Sequence, residues 1–209
     1  MTFHAPLIAA RDLWWSDEVR HGGVLLDLAS KGDWWALHLN GAPYTDKPPL
    51  YFLFLAGVQR LFGAGPVPIF FGLSLTVFAY ALACWHLARR LLGEGALALG
   101  SVAVLLSGSY ILAASHYARM DFLFSAAIVL AWSSFYTASV SLALDRRAIL
   151  AGFVFVTLAT LIKGPVGVLL PLAALIGQLA VQGRVRLLAD RAVLVGAGIL
   201  VAEVNAALV

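Results

Sequence analysis

Residues 148–183 read AILAGFVFVTLATLIKGPVGVLLPLAALIGQLAVQG and carry a single charge, Lys163, in 36 positions. At ~1.5 Å per residue, one continuous helix of that length would extend about 54 Å, against a hydrocarbon core of about 30 Å. Lys163-Gly164-Pro165 therefore reads as a turn between two membrane passes, a shorter one over 148–162 and a second over 165–183. Three further uncharged runs lie before this hairpin, at 66–88, 95–115 and 122–144. One more follows at 192–209, apolar apart from Glu203 and Asn205. The pattern predicts an all-α, polytopic transmembrane bundle of about six spans over residues 66–209.

Composition supports this reading. Of 209 residues, 62% are apolar and 12% charged, with a mean hydropathy of +0.91. A soluble domain carries about 25% charged residues, so this chain lacks the charge to cover a water-facing surface. Disorder is excluded by the same hydrophobicity. The net charge of +3 reflects where a few arginines sit relative to the bilayer, and no nucleic-acid partner is expected. The lone cysteine, Cys84, has no intramolecular disulfide partner. HExxH, Walker A, GxGxxG and CxxC patterns are absent, leaving protease, nucleotide-hydrolase, nucleotide-redox and zinc-finger readings without support.

Residues 1–65 form a second unit. They hold six of the 11 acidic residues, five of the 14 basic ones and four of the six tryptophans. Residues 48–59 are uncharged but too short to span, which fits an interfacial or re-entrant helix. The pairs Trp14-Trp15 and Trp34-Trp35 suit the headgroup level.

Alternate turns carry Arg89-Arg90, Arg146-Arg147, and then Arg184, Arg186 and Arg191, while the turns between them hold only Arg119 and Lys163. The bias of basic residues toward cytoplasmic loops puts the arginine turns inside. The turns at Arg119 and Lys163 then face the extracytoplasmic side, and so does the whole 1–65 segment if 48–59 does not cross. This topology gathers Asp17, Glu18, Arg20, His21, His38, Asp46, Lys47, Arg119, Asp121 and Lys163 on one membrane face. Ionisable groups at such a boundary line a cavity or pair with one another.

Each motif has a structural and a functional reading. If residues 16–21 are helical, Ser16 caps the start, and Asp17 and His21 share a face at i, i+4. Asp17 and Glu18 then offer a general base, with Asp17, Glu18 and His21 as a candidate set for a divalent cation; alternatively they are solvated charges on an interfacial helix. Pro43-Tyr44-Thr45-Asp46-Lys47-Pro48-Pro49 reads as a turn, an extended segment and a proline-started helix. It holds Lys47 at the membrane surface, to bind a phosphate or simply to pair with Asp46. In His116-Tyr117-Ala118-Arg119-Met120-Asp121, Arg119 offers a fork of donors for a phosphate and Asp121 a cap for the next helix. Lys163 is placed at the start of a helix, whose dipole favours an anion, or is a snorkelling lysine. Together these residues suit a lipid-linked phosphate whose head group reacts at the surface.

The run Arg11-Asp12-Leu13-Trp14, Asp17-Glu18-Val19-Arg20, Gly32-Asp33-Trp34, His38-Leu39-Asn40-Gly41 and Tyr44-Thr45-Asp46-Lys47-Pro48-Pro49-Leu50, followed by Arg119-Met120-Asp121 and Lys163-Gly164-Pro165, resembles the dolichyl-phosphate-mannose-protein mannosyltransferase-like family. Its bacterial members include lipid A aminoarabinose transferase-like enzymes. The resemblance covers about residues 11–181 and implies the type C glycosyltransferase fold, with an extracytoplasmic active site in a bacterial-type cell membrane. It also implies a sugar donor on a polyprenyl phosphate, transferred with inversion to a protein, lipid A or glycan acceptor. Asp17 would be the catalytic carboxylate, with Glu18 beside it; Lys47 and Lys163 would sit with the donor phosphate. Asp121 and Arg119 would complete a pocket to which Arg20, His38, Tyr44 and Asp46 contribute. No cofactor is implied with certainty, a divalent metal being the candidate. The family pattern places a span before the Asp-Glu loop and further spans after residue 209, so a fragment, a misplaced start or a shortened paralogue is expected. A non-catalytic protein that binds or moves lipid-linked sugars, or a structural membrane subunit, is the alternative.

Overall fold

The computed structural model describes residues 12–140, apart from 33 and 35, and residues 144–206. Arg11, Asp33 and Trp35 of the quoted motifs, and parts of the 122–144 and 192–209 segments, lie outside the described residues.

The first helix, α1 (Ser16–Lys31), presents His21, Val24, Leu25 and Leu28 on one buried face, the i, i+3, i+4, i+7 spacing of an amphipathic helix. Its first turn carries Asp17 and Glu18, where the dipole favours negative charge. Ser16 is the first helical residue rather than the cap. The cap position falls on Trp15, whose N–H donates to the Glu18 carboxylate at 3.3 Å, the reach-back half of a capping box. Gly32, at φ 69°, closes the helix with its N–H on Leu28 O.

A small antiparallel hairpin interrupts the all-α expectation, β1 (His38–Leu39) pairing with β2 (Ala42–Pro43). Asn40 and Gly41 both have positive φ, the conformation this two-residue turn demands. Gly41 N–H donates to Asp27 Oδ2 at 2.7 Å, tying the hairpin to α1. Next comes α2 (Leu50–Phe62), with Pro49 at its cap position and Tyr51, Phe52, Leu55 and Val58 buried. It packs between α1 and α3 (Pro66–Leu92).

The 95–115 segment is two helices, α4 (Gly95–Leu106) and α5 (Ser109–Ala114), broken at Ser107-Gly108. Then follow α6 (Asp121–Val140), α7 (Arg146–Lys163), α8 (Val166–Val181), a 3-10 turn (Val185–Ala189) and α9 (Arg191–Ala206). Helix α6 packs most extensively against α7 and α3, and α7 packs against α8 and α9. Two helices, α3 and α6, are each long and apolar enough to cross a membrane.

The core divides by height. One cluster joins Leu25, Tyr51, Phe52, Phe70, Met120 and Ile162, binding the N-terminal unit to the adjacent end of the bundle. The other joins Phe135, Ile149, Phe153, Leu179 and Val193 toward the opposite end. At that opposite end the arginines knit the helices together. Arg90 bonds Thr137, Arg184 donates to Ser139 O at 2.6 Å, and Arg146 pairs with Asp190 at 3.5 Å.

Candidate active site

The charged residues of the N-terminal unit and of two bundle turns meet at the end remote from those arginines. Lys47 Nζ pairs with Asp46 Oδ1 at 3.3 Å, and Asp46 Oδ2 with Arg20 at 3.5 Å. Arg20 lies 3.9 Å from Asp17 Oδ1, and Asp17 Oδ2 lies 3.4 Å from Arg119. Arg119 Nε reaches Asp121 Oδ2 at 3.2 Å, and Asp121 Oδ1 meets Lys163 Nζ at 2.5 Å. Four cations and three carboxylates thus form an unbroken alternating chain, with a lysine at each end. These side chains are roughly one-third to one-half exposed. At such exposure each pair contributes about 0–1 kcal/mol, so the chain adds little to stability.

Both terminal lysines line one cavity of about 620 Å³, together with Tyr44, Thr160, Pro165 and Glu203. The cavity lies between residues 36–49 and helices α7, α8 and α9. The Tyr44 hydroxyl donates to Asp46 Oδ2 at 3.3 Å, and burial together with that carboxylate raises the phenol above its ordinary value. The hydrogen bond from Lys47 holds the Asp46 carboxyl below the usual range. Lys163 also stands 5.2 Å from the Phe124 ring centroid, within cation–π reach.

Lys163 is the last residue of α7 rather than the first of the next helix, because Gly164, at φ 79°, ends α7 with its N–H on Thr160 O. Asp121 opens α6 at its first position, with its carboxylate turned to Lys163 and Arg119.

Of the expected site residues, Tyr44, Asp46, Lys47 and Lys163 line the cavity; Asp17, Arg20, Arg119 and Asp121 lie in the charge chain outside its lining, and three others belong to neither. Glu18 is fully buried, and its Oε1 accepts the Ala118 N–H at 2.8 Å. His21, 5% exposed, donates Nδ1–H to the carbonyl of the same Ala118 at 3.2 Å and meets the Tyr51 and Phe52 rings edge-on. Burial pushes His21 below its ordinary value, overcoming the opposing effects of the Ala118 carbonyl and Asp17; Arg20 and Arg119 add to the lowering. His38 turns its Nδ1 to Ala36 O at 2.8 Å, within its own segment.

The candidate metal set is a correction. Among the described residues no three His, Cys, Asp or Glu side chains converge to hold an ion. Asp17 faces two arginines, while Glu18 holds the backbone N–H of Ala118 and His21 its carbonyl. Sequence reasoning did not place Thr157, Thr160 or Glu203 at the cavity; the signal for Glu203 was that it is the one charged residue in the 192–209 run.

The N-terminal unit and an apolar helix bundle thus bring a charged chain and a cavity together at one end of the fold, the class of arrangement a membrane protein with a polar site would show. The family described as dolichyl-phosphate-mannose-protein mannosyltransferase matches residues 46–208, and the chain belongs to it.

Similar proteins include two described as undecaprenyl phosphate-alpha-4-amino-4-deoxy-L-arabinose arabinosyl transferase. The one from Edwardsiella ictaluri is 28% identical over 181 residues, covering 85% of this chain and 32% of its own length. The one from Serratia proteamaculans is 30% identical over 189 residues, covering 84% and 32%. The crystal structure of ArnT from Cupriavidus metallidurans bound to undecaprenyl phosphate superposes with a TM-score of 0.79 at 21% identity, over 99% of this chain and 41% of that one. The fold is thus the type C glycosyltransferase fold. The chain spans about a third of the length of these curated relatives.

Proposed function

We propose that the chain is the donor-binding and catalytic portion of an integral membrane glycosyltransferase that transfers a sugar from a polyprenyl phosphate, with inversion, at the extracytoplasmic face. The observation that carries this reading is the charge chain that begins and ends at one cavity. A phosphate between Lys47 and Lys163 would close it into a ring, adding negative charge where cations are in excess. The names of the relatives point to an amino-arabinose donor on undecaprenyl phosphate, and the likeness to ArnT favours lipid A over a protein or another glycan as acceptor.

Large apolar side chains exposed around the bundle, Leu99 at 64%, Val104 at 74% and Leu169 at 66% among them, support lipid as their solvent. The bundle then crosses the membrane several times, with its arginine end in the cytoplasm.

In this mechanism Asp17 takes the proton of the acceptor hydroxyl while the oxygen attacks the anomeric carbon. The bond from that carbon to the phosphate oxygen breaks, and its electron pair leaves with the polyprenyl phosphate. Lys47 and Lys163 stabilise the charge that develops on the leaving oxygen. Arg20 and Arg119 aim Asp17 from either side, while Asp121 holds Arg119 and Lys163. Glu18 takes a positioning role: with His21 it fixes the residue that precedes Arg119.

Asp17→Asn in the complete membrane protein tests the assignment, since it keeps the shape and removes the base. Glycan transfer in membranes is expected to fall by roughly 10²–10⁴-fold, with binding of the polyprenyl-phosphate sugar retained. Transfer at the wild-type rate would remove Asp17 from the chemistry.

A further inference from the structure

Helices α7 and α9 run side by side in the same direction, and three observations fix their register. Arg146 pairs with Asp190 at one end. About two turns on, Gly196 lies against the Phe153 ring so closely that a Cβ there would strike it. Further along, Thr157 and Leu200 line the same cavity. Continuing the offset of 43–44 residues brings Glu203 level with Thr160, about 4.5 Å along the axis from Lys163. Both Thr160 and Glu203 line the cavity.

A carboxylate deep in a mostly apolar helix facing a bilayer is costly and marks a partner. The described residues offer Glu203 none: it enters no ion pair or hydrogen bond, whereas Asp46, the other carboxylate of the lining, is taken up by Lys47, Arg20 and Tyr44. The cavity is therefore two-signed, with the ammonium groups of Lys47 and Lys163 and the carboxylate of Glu203 on one lining. Such a surface complements a ligand with a phosphate at one position and a cation a short distance from it.

We propose that Glu203 forms a subsite for a protonated amino group on the sugar of the polyprenyl-phosphate donor, selecting amino sugars over their hydroxyl counterparts. This rests on the donor reading above. In the bound state the sugar lies against α9, its amine paired with Glu203, while the phosphate bridges the two lysines. Neutral sugars leave the carboxylate unpaired and bind less well.

The test uses the complete membrane protein in detergent and two probes: undecaprenyl phosphate carrying 4-amino-4-deoxy-arabinose, and the same lipid carrying arabinose, in which a hydroxyl replaces the amine. Wild type is expected to bind the amino donor about tenfold more tightly, a difference of about 1.4 kcal/mol. Glu203→Gln is expected to bring that ratio close to one by weakening the amino donor, and Glu203→Asp to keep part of the preference. A preference unchanged in Glu203→Gln, a parallel loss for both donors, or no preference in wild type would each overturn the subsite while leaving the donor reading intact. Failure of wild type to bind either donor would overturn the donor reading, and the subsite with it.

Discussion

Ala118 has no reactive side chain, yet two buried polar groups converge on it. Glu18 takes its N–H and His21 its carbonyl, so the two peptide groups flanking one Cα are held by residues about a hundred positions earlier. Arg119, next along the chain, inherits its position from this clamp and reaches Asp17 and Asp121. The importance of Glu18 was legible in the sequence as one of two adjacent carboxylates. Its role was not, because a backbone partner leaves no trace in residue identity. Glu18→Ala strands the Ala118 N–H in the core, a loss of about 1–3 kcal/mol. Glu18→Gln keeps an acceptor and is expected to restore most of that stability. Thermal unfolding in detergent, read with donor affinity, checks this: the alanine variant should lose both, and the glutamine variant should recover both. If alanine and glutamine behave alike, Ala118 is not held through Glu18. Asp17 differs, because its partners are side chains whose charge the sequence already showed.

Among the elements, the turn at Lys163-Gly164-Pro165 followed from length alone, since 36 apolar residues exceed what one pass accommodates. The break of 95–115 into α4 and α5 did not, because hydropathy reports composition and is blind to the path of the chain through Ser107-Gly108. The hairpin was visible in part through Asn40-Gly41, although two paired residues per strand fall below any periodicity. Close helix approach was equally hidden. Gly167 on α8 lies against the backbone of Ala159 and Thr160 on α7, and a Cβ there would overlap atoms that cannot rotate away. That contact sets the angle at which α8 leaves the turn, and hence the wall of the cavity at Pro165 and Val168. Gly167→Ala is expected to cost about 1–3 kcal/mol and to weaken donor binding as the wall shifts. Gly177→Ala on the same helix, where a Cβ meets nothing within 4 Å, serves as the control and should leave both properties near wild type. Equal effects at the two positions would mean that α8 tolerates displacement from α7.

At the scale of the molecule, charge separates into two ends joined by apolar helices. The arginine end binds helix to helix through Thr137, Ser139 and Asp190; the other end holds the alternating chain and the cavity. This division was legible because basic pairs alternate from turn to turn along the chain, a one-dimensional property of the sequence. Which groups meet inside the cavity was less so, since the level of Glu203 depends on the register of α9 against α7, and only packing sets that. The two ends give the orientation a direct test. With the single cysteine removed as Cys84→Ala, a new cysteine at exposed Ala42 in the hairpin reports the site end, and one at exposed Glu94 between α3 and α4 reports the arginine end. A membrane-impermeant thiol reagent applied to intact cells should modify position 42 at once and position 94 only after the membrane is opened. The reverse pattern would place the charge chain in the cytoplasm, where a donor presented on the outer leaflet never meets Lys47 or Lys163. Modification of both positions in intact cells would mean that 66–92 does not separate them across a bilayer. The reverse pattern would overturn the extracytoplasmic site, because the cavity and the hairpin belong to the same end of the fold; modification of both would overturn the crossing alone.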